Sequence, residues 1–186
     1  MKGNLKKILF VLLAFVAPLA FISCDDEDGD PSTPQKLIAG GRLYYSFSFS
    51  QDLLDVATVK VLYYQDGNVK TQTMDKTAFD VESKTSYENF TGGYSVVLVP
   101  KGDALDKANY TISCNARVKY EVRYVDGTAG EQFVLSDELS SVVPAENVNL
   151  FVTSKNGKIY KFGMLSKDDN YQWEVKTQEL PDGMKE

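Results

Sequence analysis

The chain has 186 residues, with 20 basic and 26 acidic side chains and no histidine. The missing histidine removes the commonest general base, the commonest zinc ligand and every Ser-His-Asp or Cys-His arrangement. The acidic balance, with no basic stripe, argues against nucleic acid, which needs clustered Lys and Arg.

The chain opens with Lys2, Lys6 and Lys7, then an unbroken apolar run from Ile8 to Ala17 that Pro18 interrupts. This is the charge and length pattern of a secretory signal peptide. A spanning helix needs about 20 apolar residues. Ile8 to Ile22 is shorter, contains Pro18 and ends against acids. The run Phe21-Ile22-Ser23-Cys24 resembles a bacterial lipobox, with Phe21 departing from the usual Leu and the small Ser23 fitting the pattern. The resemblance implies cleavage that leaves Cys24 as an N-terminal, lipid-bearing cysteine, so residues 1–23 are read as a lipoprotein signal peptide. The alternative is an ordinary signal peptide with an incidental Cys24.

Asp25, Asp26, Glu27, Asp28 and Asp30 follow at once, with Pro31 and Pro34 behind them. Such a stretch cannot form a core and stays solvated. Residues 24–36 are therefore read as a tether that reaches about 40 Å at ~3.3 Å per residue. A calcium loop fails here. With Gly29 at its sixth position, the first would be Cys24 and the twelfth Gln35, neither of which supplies the required carboxylate. Cysteine followed by acids resembles the export signal of Bacteroidota surface lipoproteins. That resemblance implies an outer-membrane protein facing outward, held to the membrane through lipid on Cys24.

Residues 37–186 are read as a single domain. Leu43, Tyr45, Phe47 and Phe49 alternate with Tyr44, Ser46, Ser48 and Ser50, which predicts a strand. Gln51 to Asp55 reads as one helical turn. Ala57, Val59, Val61 and Tyr63 form a second inward row, and Asp66-Gly67 predicts a hairpin into Val69 to Met74. A two-residue loop there faces Val69 to Tyr64, whereas a three-residue loop faces it to Gln65. Tyr94 to Val99 is apolar on both faces, as a central strand would be. Gly40-Gly41 and Gly92-Gly93 lack a phosphate-loop lysine and read as turns.

Tyr110 to Tyr124 alternates strictly over its whole length, so it predicts a strand long enough to bend or bulge. Cys114 falls on the apolar side and reads as a small core residue. Phe133 and Leu135 mark a short strand, and a boundary between modules could fall at Ser136 to Glu146. Val148 to Ser154 and Lys158 to Leu165 flank Asn156-Gly157 and predict a hairpin. Asp168, Asp169 and Asn170 read as a solvated turn that could at most hold Ca²⁺ weakly. Tyr171, Trp173 and Val175 alternate in a last strand, and no segment after Cys24 shows a helical period.

About ten strands separated by turn residues predict an all-β fold, an antiparallel β-sandwich of immunoglobulin-like type. The stretch from Ser48 to Met74, "SFSQDLLDVATVKVLYYQDGNVKTQTM", resembles a small immunoglobulin-like domain of Bacteroidota lipoproteins. The likeness rests on turn and core residues and carries no functional residue over. The expectation is a domain without catalysis, metal or cofactor, with a structural or protein-interaction role. The alternative is a glycan-binding module that stacks sugars on outward tyrosines, for which Tyr44, Tyr64 and Tyr87 are the candidates.

Overall fold

The computed structural model describes residues 36–85, 90–170 and 172–185. The described residues belong to one compact unit, Gln35–Glu186. Among the described residues there are nine strands in two antiparallel sheets. These are β1 (Ile38–Phe49), β2 (Ala57–Gln65), β3 (Asn68–Thr73), β4 (Ala78–Thr85), β5 (Thr91–Pro100), β6 (Asn109–Tyr124), β7 (Ala129–Pro144), β8 (Ile159–Lys167) and β9 (Trp173–Thr177). One sheet has the order β4-β1-β6-β7 and the other β3-β2-β5-β8-β9. The architecture is the all-β antiparallel sandwich that the alternation predicts.

The inward rows are those of the sequence. Leu43, Tyr45 and Phe47 are buried, as are Ile112, Cys114, Val118 and Tyr120 on β6. They meet Val59, Val61, Tyr94 and Val96 from the opposite sheet in one continuous core. Phe47 packs edge-on against Tyr94 with ring centroids 5.6 Å apart. The Tyr120 hydroxyl crosses the core to the carbonyl oxygens of Gly92 at 2.8 Å and Gly163 at 3.1 Å. That of Tyr94 crosses the other way, to the Ala116 carbonyl at 2.8 Å and to Asp137 Oδ2 at 3.2 Å.

The Asp66-Gly67 hairpin adopts the two-residue loop, with Gln65 opposite Asn68 and Tyr64 opposite Val69. Asp66 and Gly67 both have positive φ, 53° and 79°, the pair that such a turn requires. α1 (Gln51–Val56) is the helical turn, capped by Ser50, whose Oγ accepts from the Leu53 N–H at 3.2 Å. β6 runs sixteen residues and takes an irregularity between Glu121 and Arg123.

Four readings need correction. Val148–Lys155 is a helix, α2, and not the first arm of a hairpin. Val148 and Val152 lie four residues apart, one helical turn, and both are fully buried. Asn156 closes this helix, and Gly157 has the left-handed φ of 66°. A hairpin turn and a helix end both use that conformation, so the Asn-Gly pair does not tell them apart. The glycine pairs are not turns either, since Gly40-Gly41 lies inside β1 and Gly92-Gly93 inside β5. They give room to neighbours: a Cβ on Gly41 would meet the Phe90 ring at 2.0 Å, and one on Gly92 would meet Leu43 at 2.7 Å. Phe133 and Leu135 belong to the sixteen-residue β7, which runs through Ser136 to Pro144 without a break. β4 has no counterpart among the strands that alternation predicts. Its Phe79 and Val81 are only half-buried, and charges at Asp80, Glu82 and Lys84 break up the apolar signal.

Candidate functional site

Cys24, the acids Asp25, Asp26, Glu27, Asp28 and Asp30, and Tyr87 lie outside the described residues. The other two tyrosine candidates are not brought together. Tyr44 projects from the outer face of the four-stranded sheet, where Lys119 Nζ sits 4.2 Å from its ring centroid. Its hydroxyl donates to Glu121 Oε1 at 3.2 Å. Glu121 is only 4 % exposed although it faces outward. Burial of a carboxylate needs partners, and Glu121 has an ion pair with Arg123, Lys119 at 3.7 Å and the Gln132 amide at 2.7 Å. The Tyr44 ring is therefore the covered floor of a charge cluster. Tyr64 projects from the outer face of the other sheet and packs edge-on against Phe162, centroids 5.5 Å apart.

That second outer face carries its own apolar cluster of Leu62, Val97, Phe162 and Met184, with Tyr64, Val69 and Leu180 against it. The segment after β9 folds back to make it. The Gln178 N–H donates to the Phe162 carbonyl at 2.9 Å, and a 3-10 turn at Asp182–Met184 drives Met184 fully into the cluster. Beside this segment lies a cavity of about 810 Å³, lined by Ser95, Tyr160, Gln178, Glu179, Leu180 and Lys185 among others. It offers one half-exposed aromatic ring, hydroxyls, an amide and a single carboxylate. The double-sided apolarity of Tyr94 to Val99 was the sequence signal for this cover, because an apolar outer face must be covered by something.

A hollow of about 200 Å³ is lined by Asp55, Asp103 and Asp106 beside Tyr110. Asp106 accepts from the Tyr110 hydroxyl at 3.0 Å, and all three acids are solvent-exposed. Nearby Asp52 has its carboxyl held below the ordinary range by the Lys107 ammonium, 2.6 Å away, and by the Thr111 N–H. Among the described residues no group of three or more His, Cys, Asp or Glu is placed to hold a metal. Asp168 is a turn former, its Oδ1 accepting from the N–H groups of Asn170 and Gln172 at 2.9 and 2.8 Å. Cys114 is buried, and burial, followed by the charge of Asp137, pushes its thiol up to about 12.

The sheet edges differ from one another. β3, β4 and β9 each carry a lysine, at Lys70, Lys84 and Lys176. A charged edge resists the addition of another strand. β7 is the longest edge strand, has neither Lys nor Arg but carries Glu131, Asp137 and Glu138, and pairs with β6 alone among the described residues. Val134 and Val142 on it are 47 % and 70 % exposed. No family model matches the chain, and no curated protein or solved structure matches it either.

Proposed function

We propose that the chain is a non-enzymatic, lipid-anchored domain of a bacterial outer-membrane surface that works through contacts with protein. The anchor reading rests on the order of basic start, apolar run, Ser23, Cys24 and acids. Each buried CH₂ contributes about 0.8 kcal/mol, so several acyl chains hold where one holds only marginally. The observation that carries the interaction role is the β7 edge: sixteen residues of strand paired on one side only among the described residues, whose charges, Glu131, Asp137 and Glu138, are all acidic and so suit a partner strand with basic side chains. The non-enzymatic reading is supported by the cavity beside the C-terminal segment, where Glu179 is the one carboxylate among the lining residues; paired-carboxylate hydrolysis needs two about 5–9 Å apart. The glycan alternative loses support because Tyr44 and Tyr64 lie on opposite outer faces.

Membrane fractionation of the Cys24→Ala variant tests the anchor. The variant is expected in the soluble fraction while the wild type pellets. A variant that pellets as firmly as the wild type refutes the anchor.

A further inference from the structure

We infer that the cavity beside the C-terminal segment binds a neutral sugar, with one face of the sugar ring stacked on Tyr160 and its hydroxyls held by Ser95, Gln178 and Glu179. The inference goes beyond the protein-contact reading above. It uses neither Tyr44 nor Tyr64.

The hollow follows from the order of side chains across the outer face of the five-stranded sheet. In one row Leu62 on β2 faces Ser95 on β5, and Ser95 faces Tyr160 on β8. Leu62 belongs to the apolar cluster that Met184 completes. Ser95 is too small to fill the space between Leu62 and the Tyr160 ring, and a cavity of about 810 Å³ opens there. Small-molecule sites span about 300–1,000 Å³. The segment after β9 supplies the far wall. Met184 is fully buried, Leu180 packs on the same cluster, and the Gln178 N–H is tied to the Phe162 carbonyl at 2.9 Å. The wall therefore stands without a ligand, and binding has no loop to order.

The lining selects the ligand. Tyr160 is 43 % exposed, a flat apolar ring with a polar tip. Ser95 is 2 % exposed, yet its hydroxyl has no hydrogen-bond partner among the described residues. Buried polar groups are ordinarily partnered, so a ligand hydroxyl in the cavity supplies what the protein does not. The Gln178 amide and the Glu179 carboxylate also have no side-chain partner among the described residues. Donors and acceptors set around an apolar ring suit a polyol, because each of its hydroxyls both donates and accepts. Charge weighs against other classes. An anion needs a free cation, and Lys185, the cation at this cavity, is paired with Asp182 at 2.9 Å. A lipid chain would bury Ser95, Gln178 and Glu179 without hydrogen bonds, which is costly.

Saturation-transfer NMR of the full chain, in a detergent without a sugar headgroup, tests the site. The probes are glucose, galactose, mannose and N-acetylglucosamine, with glucuronate as the charged comparison. At least one neutral sugar is expected to receive saturation and to bind more tightly than glucuronate. Tyr160→Ala should weaken that sugar about tenfold, and Tyr160→Phe, which keeps the ring, should hold it within about twofold. Ser95→Ala removes one hydroxyl and should weaken it about fivefold. Circular dichroism of all three variants should match the wild type. No saturation transfer to any neutral sugar, tighter binding of glucuronate than of all of them, or equal affinity in Tyr160→Ala and the wild type overturns the inference. None of these results touches the protein-contact reading, because β7 lies in the four-stranded sheet.

Discussion

Replacing Tyr120 by Phe removes one oxygen from the centre of the sandwich and leaves the ring in place. The hydroxyl stands on β6 and reaches two carbonyl oxygens on the opposite sheet, those of Gly92 on β5 and Gly163 on β8. These two glycines are direct partners in the β5–β8 ladder, so one proton serves a pair of adjacent acceptors. Tyr120 is fully buried, so water does not replace the lost donor. A net hydrogen bond contributes about 0.5–1.5 kcal/mol, and a buried group left without its partner adds to that. Carbonyl oxygens have two lone pairs and tolerate the loss better than an N–H would. The expected cost is about 1–2 kcal/mol, with no cavity contribution because only the oxygen leaves. At ~2–4 °C per kcal/mol for a domain of this size, Tm should fall by about 3–6 °C. Urea unfolding followed through Trp173, the sole tryptophan, which packs on Phe90 at 5.7 Å, reads the same loss as a lower midpoint at constant slope. Tyr160→Phe, on a half-exposed ring without this partner pair, should stay within about 0.5 kcal/mol. A midpoint for Tyr120→Phe equal to or above that of the wild type would refute the reasoning, since the hydroxyl would then contribute nothing to holding the sheets together.

Cys114 should resist a maleimide at pH 8 in the folded chain and react fully in urea, because burial holds its thiol protonated with a pKa of about 12; fast labelling without denaturant would contradict this. The carboxyl of Asp52 is depressed in the fold by Lys107 and the Thr111 N–H, so its contribution is present above the ordinary carboxyl pKa of about 4 and is lost as pH falls through the folded value. Wild type should therefore exceed Asp52→Asn in urea stability at pH 7, by no more than about 1 kcal/mol given solvent screening. The gap should close between about pH 4 and pH 2; a gap constant down to pH 2 would show that the charge is not its source.

The sequence by itself determined the layers. Period-two alternation in β1, β2 and β6 placed Leu43, Tyr45, Val59, Val61, Ile112, Cys114 and Tyr120 on the core face, where all are buried. A strand has only two faces, so one apolar row decides which way every side chain points. The Asp66-Gly67 turn was also legible, because positive φ at both positions is a local demand that few residue pairs meet. Local signals failed where a conformation serves two purposes. Asn156-Gly157 fits both a hairpin and a helix end, and only the burial of Val148 and Val152 in the core selects the helix. Gly41 and Gly92 are glycines because Phe90 and Leu43 occupy the space a side chain would take, and those neighbours are distant in the chain. The candidate surfaces were the least legible. Which strand is an edge depends on the order β4-β1-β6-β7, and Tyr44 and Tyr64 turn away from each other because their strands enter different sheets. Alternation tells a residue which face it takes; only the pairing of distant strands tells a strand whether it has a neighbour.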